Sequence, residues 1–172
     1  GGGTFDLSVR QIGDRTYEVL STSGDSHLGG DDFDDKITEY IISEFKKEYG
    51  VDLRKDLGAL SRIKDASEKA KIELSSQAYT HVNLPFITAV DNEPIHFTLD
   101  ITRSKFESLV KDLMDRIEKP ILDAMKDGVG GDKSKINEVI LVGGSSRIPC
   151  VQEQIKKLIG LDPNKGVNPD EA

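Results

Sequence analysis

The segment that most constrains this chain is Glu138–Val142 (EVILV), which runs straight into Gly143-Gly144-Ser145-Ser146-Arg147-Ile148-Pro149. Five nearly all-apolar residues are too few for a helix and fit a strand buried on both faces. Paired glycines then turn the chain. Pro149 sits well at the first position of a helix that Gly160 would end. Strand, glycine turn and helix in that order belong to α/β architecture, in which ligands bind outside the carboxyl ends of the strands. There Gly143 and Gly144 would leave room for a nucleoside, and the planar guanidinium of Arg147 could stack on a base. A tight strand-to-helix turn with no ligand would use the same residues.

The rest of the chain supplies the surroundings. Thr4–Val9 and Tyr17–Ser23 read as strands of a hairpin turning at Gly13-Asp14. A helix follows from about Asp31 to Tyr49, with Phe33, Ile37, Tyr40, Ile41, Phe45 and Tyr49 at helical spacing, and Gly50 ends it. A second runs from Asp56 to about Ser75. Tyr79–Thr88 and Ile95–Leu99 form another strand pair, joined through Asp91-Asn92-Glu93-Pro94. Thr102 can cap a third helix carrying Phe106, Leu109, Val110, Leu113 and Ile117, and Pro120 is placed to break or kink it. This order predicts an α/β or α+β protein, with a self-contained helical and β insertion between two parts of a sheet domain.

Composition narrows the function. A net charge of −8 argues against nucleic acid or an anionic membrane as the main partner. The single cysteine, Cys150, excludes an intrachain disulfide and suits a reducing compartment. His27, His81 and His96 are scattered without metal-ligand spacing. No apolar run is long enough for a membrane helix, and no secretory leader is evident.

Two further segments could carry chemistry. In Gly1-Gly2-Gly3-Thr4-Phe5-Asp6 the glycines would let backbone N–H groups approach a phosphate. Thr4 would offer a hydroxyl to a phosphoryl oxygen, and Asp6 a carboxylate to water or a hydrated cation. A flexible tag remnant before an ordinary strand would read the same way. On the second helix, Glu68, Lys71 and Ser75 lie at i, i+3 and i+7 and are expected to share a face suited to a ribose and its phosphates. A solvated face with a weak ion pair is the plain alternative. The last residues, Asn168-Pro169-Asp170-Glu171-Ala172, read as the start of a helix, so the sequence is expected to be cut from a longer one.

Taken together, GGGTFD at 1–6, HLGGDDFD at 27–34, EKAKIELSS at 68–76, VNLPFIT at 82–88, ILVGGSSRIP at 140–149 and VNPDEA at 167–172 resemble, in order, the DnaK-type seventy-kilodalton heat-shock chaperones. The wording is similar to bacterial or plastid members, with Ile72 where cytosolic relatives usually carry an arginine. The resemblance implies the second lobe of an actin-like ATPase domain. Residues 1–29 and 103–172 would be its inner subdomain, and 30–102 an inserted outer subdomain. It implies that Gly2, Gly3 and Thr4 form a phosphate loop, with Thr4 and Asp6 nearest the catalytic chemistry and Asp6 in the cation and water network. Gly30 and Asp31 would lie by the sugar–phosphate side. Glu68, Lys71 and Ser75 would line an adenosine pocket opposite Gly143, Gly144, Ser145, Arg147 and Ile148.

The implied cofactors are ATP or ADP with Mg²⁺, and K⁺ alongside. The implied partners are the first ATPase lobe, a peptide-binding domain, nucleotide-exchange factors, J-domain co-chaperones and unfolded polypeptide. The implied location is the bacterial cytoplasm or an organelle matrix such as the plastid stroma. The family's Asp-Leu before the triple glycine does not occur here, nor does its first lobe with the catalytic lysine. The chain is therefore expected to bind nucleotide weakly and not to hydrolyse it. Two other readings stay open: an interaction module for exchange factors that binds no nucleotide, and another actin-like phosphotransferase such as a sugar kinase.

Overall fold

The computed structural model describes residues 5–12, 17–25, 29–129, 138–142 and 147–160. The chain divides into two compact units, Gly1–Asp32 with Lys111–Ala172, and Phe33–Val110.

In the first unit, β1 (Phe5–Ile12) and β2 (Tyr17–Asp25) pair antiparallel, and β1 also pairs antiparallel with β5 (Glu138–Val142), giving the order β2-β1-β5. Both hairpin strands run further than their β-branched residues alone suggest, and a register shift between Val9 and Arg10 accommodates the extra length. The turn expected at Gly13-Asp14 lies outside the described residues. Helix α4 (Lys111–Val129) packs on β1, β2 and α5 (Pro149–Ile159). The reason is legible in spacing: Leu113, Ile117 and Ile121, and again Val151, Ile155 and Ile159, repeat every fourth residue and are all buried. Pro149 opens α5 and Gly160, at φ +86°, closes it in the left-handed conformation.

The second unit is built from α1 (Gly30–Tyr49), which starts in the first unit, then α2 (Leu57–Leu74), a ribbon of β3 (Tyr79–Val90) and β4 (Glu93–Thr102), and α3 (Arg103–Leu109). Its core joins Phe33, Ile37, Ile41 and Phe45 of α1 to Ile63, Ala70 and Leu74 of α2 and to Val82, Leu84, Phe97 and Ile101 of the ribbon. Phe45 meets Phe97 edge-on with ring centroids 5.2 Å apart. Asp56 caps α2 by accepting from the Ala59 amide, and Arg103 closes its other end by donating Nε–H to the Leu74 carbonyl at 2.8 Å.

The ribbon turns through only two residues, Asp91 and Asn92, both at positive φ, which is the tight hairpin geometry that Asx residues tolerate. Glu93 and Pro94, expected in the turn, belong to β4 instead. Between Leu84 and Thr88 the register slips, because Pro85 has no amide to give to a ladder. Phe86 sits in that bulge at φ +51°, and its amide donates to His96 Nδ1.

One boundary corrects the sequence reading. The third helix does not end or break at Pro120, which lies within α4; the interruption falls at Val110, between α3 and α4. Thr102 does cap α3, accepting from the Lys105 amide. Val110 then leaves helical geometry at φ −101°, ψ 10°, at the junction of the two units. Apolar residues continue at helical spacing across this point, so periodicity alone reads one helix through it.

Candidate functional site

The candidate residues fall in both units, and each half is described by itself. In the first unit the strand register gathers the ends of three segments. Phe5 pairs with Asp25, while Asp6 pairs with Gly24 on one side and Val142 on the other. The chain therefore leaves the same end of the sheet toward residues 1–4, 26–28 and 143–146. Gly2, Gly3, Thr4, Gly143, Gly144 and Ser145 themselves lie outside the described residues, and for Asp6 only the backbone is described. Beyond the glycine turn Arg147 is exposed, whereas Ile148 is buried at the N-cap of α5.

Gly30 is the first residue of α1 and is buried, with Asp31 exposed beside it. The start is held reciprocally. The Asp32 amide donates to the Gly29 carbonyl at 3.1 Å, and the Gly29 amide donates to Asp32 Oδ2 at 2.8 Å. Asp31 and Asp32 in the first turn suit the positive end of a helix dipole.

In the second unit the three expected residues of α2 part company. Glu68 is half-exposed and lines an open cavity of about 370 Å³ together with Asp65, Lys69, Ile72 and Glu73. Ile72 is 60% exposed, an apolar side chain at the middle of an otherwise charged helix face. Lys71 turns inward, and its ammonium lies 2.9 Å from Asp34 Oδ1 of α1 with little of either side chain exposed. Ser75 is the C-cap, its hydroxyl donating back to the Lys71 carbonyl at 3.3 Å. Residues at i, i+3 and i+7 do not here present one common face.

The inward pair belongs to a polar seam that sequence reasoning missed. One turn along, Thr38 Oγ1 donates to Ser67 Oγ at 2.9 Å, and Ser67 Oγ donates to the Ile63 carbonyl at 2.8 Å. Asp34, Thr38, Ser67 and Lys71 are all buried. Asp34 and Thr38 on α1, and Ser67 and Lys71 on α2, are each four residues apart, so the two helices meet antiparallel along them. The signal was present: polar residues at i, i+4 beside the apolar stripe of Phe33, Ile37 and Ile41. Burial makes the contacts matter, because a buried charge or hydroxyl left without its partner costs far more than an exposed one.

Among the described residues, no group of three or more His, Cys, Asp or Glu is arranged so that it could hold a metal ion. None of the described helices is long and apolar enough to cross a membrane. A family model for the Hsp70 protein matches this chain over residues 1–172.

Proposed function

The chain belongs to the Hsp70 family, ATP-using molecular chaperones with an actin-like ATPase fold, and from that premise we propose that it forms the second lobe of the ATP-binding domain. In this reading residues 1–29 and 103–172 are the inner subdomain, and 30–102 the outer one. The whole protein couples ATP binding and hydrolysis to holding and releasing unfolded polypeptide, and works with J-domain proteins and exchange factors in a bacterial cytoplasm or organelle matrix.

The observation that carries the assignment is the common end of the sheet in the first unit. There the register brings together the strand ends that lead to GGGT, to HLGG and to GGSS. Gly2, Gly3 and Thr4 take the phosphates, with Gly30 and Asp31 toward the sugar–phosphate side. By the resemblance, Glu68, Lys71 and Ser75 of α2 and Gly143, Gly144, Ser145, Arg147 and Ile148 belong to the adenosine-binding set; of the three on α2, Glu68 is the one that lines the open cavity.

The cavity on α2 fits the neutral end of such a ligand. Asp65, Glu68 and Glu73 repel a phosphate chain, while Ile72 offers an apolar surface to a base and Glu68 can accept from ribose hydroxyls. Mg²⁺ bound with a nucleotide takes phosphate oxygens, water and one or two carboxylates. Asp6, at the sheet end, has the chemistry to join that shell, with K⁺ beside it.

Phosphoryl transfer depends on positioning from both lobes. These 172 residues alone are therefore expected to bind ADP weakly and to show no steady-state ATP hydrolysis above a Thr4→Ala control. Titration calorimetry with ADP and a phosphate-release assay test the two halves; turnover above that control, or no heat with ADP, refutes the reading. A second reading draws on Leu57 and Phe86, exposed at 78% and 68%: residues 30–102 serve as an exchange-factor contact. Binding of an exchange factor by a chain that ignores ADP would favour it.

A further inference from the structure

Phe86 stands at φ +51°, a conformation that a bulky residue seldom adopts, in the bulge that Pro85 imposes on β3. Asp91 and Asn92 share that region as the Asx residues of a tight turn, whereas Phe86 is held there by its neighbours. Arg62 of α2 donates Nη2–H to the Pro85 carbonyl at 2.7 Å and Nη1–H to the Phe86 carbonyl at 3.1 Å. From β4, His96 Nδ1 accepts the Phe86 amide at 2.9 Å. The two rings meet edge to face, with centroids 4.1 Å apart and planes at 79°. Both side chains are exposed, so protons reach them freely.

The two holds differ in chemistry. A guanidinium keeps its charge and its donors, whereas an imidazole changes charge between about pH 5 and 8. Only the neutral ring, with its proton on Nε2, has a lone pair at Nδ1 for the Phe86 amide. A proton taken up at Nδ1 turns that acceptor into a donor, and two N–H groups then face each other. It also sets a second cation one residue's backbone away from Arg62. The other charged groups are already engaged or further along. Asp56 of α2 accepts from the Ala59 amide and from Thr88 Oγ1, and His81 pairs with Asp100 at 2.6 Å, while Asp91 and Glu93 lie in and after the turn. An imidazolium is drawn to an aromatic face, but that attraction acts on the ring and does not replace the amide bond.

We propose that His96 and the Pro85–Phe86 bulge form a proton-operated latch. The neutral imidazole pins Phe86 in its left-handed conformation, and protonation of the ring releases it. Arg62 keeps the two carbonyls in either state, so the change stays within the bulge and moves the exposed aromatic side chain. The latch does not depend on nucleotide binding.

Amide hydrogen exchange on the native chain, followed by NMR and corrected for intrinsic rates, tests this across the imidazole range. The ring resonances of His96 and His81 are titrated in the same samples. Protection of the Phe86 amide falls about five-fold on acidification, the ratio that one net hydrogen bond is worth, and its midpoint is that of the His96 ring. Protection that stays level through that midpoint overturns the inference, as does a fall that follows His81 instead. Two variants add a check that a merely structural histidine would not satisfy. His96→Asn offers an acceptor that does not titrate, so protection holds at both ends of the range. His96→Lys offers a cation and no acceptor, so protection is already low at the alkaline end. A pH-dependent loss that survives in His96→Asn, or native protection in His96→Lys, refutes the latch.

Discussion

Replacing Thr38 with Val, Ser67 with Ala, and then both together isolates one rung of the seam between α1 and α2. The Thr38 hydroxyl donates to Ser67 Oγ at 2.9 Å, and both side chains are buried. Ser67→Ala removes the acceptor and strands a hydroxyl donor in the interior, at a cost of about 1–3 kcal/mol. Thr38→Val removes the donor but leaves Ser67 bonded to the Ile63 carbonyl, so only an acceptor lone pair goes unused and the cost is about 1 kcal/mol. With both changed, the rung is apolar on each side and nothing is stranded. The double variant should be more stable than the sum of the singles predicts, by about 1 kcal/mol. Urea unfolding followed by tyrosine emission is well suited to this, since the chain has no Trp and Tyr40, Tyr49 and Tyr79 lie in the second unit. Additivity to within about 0.3 kcal/mol would refute the reasoning. It would mean that Thr38 satisfies its donor elsewhere, for instance on a carbonyl of its own helix.

Two glycines give opposite signs. Gly50 stands at φ +71° with no atom near a would-be Cβ, so Gly50→Ala carries only the backbone penalty and should cost about 1 kcal/mol. Gly58 is inside α2, and its would-be Cβ meets only Asp56 Oδ1, at an ordinary 3.6 Å. Gly58→Ala should therefore stabilise by about 0.5–1 kcal/mol in the same urea assay. At alkaline pH, Tyr40 and Tyr49 should ionise late. Burial comes first for both, with Glu44 adding for Tyr40 against a partial pull down from Lys47, and Glu48 adding for Tyr49. A raised folded pKa means stability present below pH 10 and lost as pH climbs through the higher folded value. Absorbance at the phenolate band should show two tyrosines lagging while the midpoint of urea unfolding declines.

Much of the fold was legible because its signals are local. Asp56, Thr102, Pro149, Gly50 and Gly160 each mark a helix end through their own chemistry, and each does so here. EVILV at 138–142 is a strand as its composition demands. The misplaced break has a physical cause. Val110 is fully buried and apolar, so it satisfies the periodic pattern while its backbone departs from it. Pro120 carries the conventional breaking signal, yet a proline removes only one helical donor, and tertiary packing can hold the helix on either side. Ile117 and Ile121, both buried, flank it. The two-residue turn at Asp91-Asn92 was obscured for a similar reason. Pro94 resembles a turn residue but sits where a strand can spare its amide.

The site was legible as a set of segments, not as a set of directions. Spacing of i, i+3 and i+7 leaves Glu68 and Ser75 about 20° apart around the helix axis but places Lys71 about 60° from Glu68, toward the side that α1 covers. A lysine stem can bridge that angle either way, so helical spacing leaves its direction open. What decides is an opposite charge within reach, and Asp34 is 37 positions away in sequence and one helix away in space. Any surface lysine would gain little from a carboxylate at that distance in water. At 6% exposure the same contact governs where the side chain points, because a turn back toward solvent would break a buried ion pair. The direction of Lys71 is thus set by the packing of α1 on α2, which helical spacing along EKAKIELSS does not reveal.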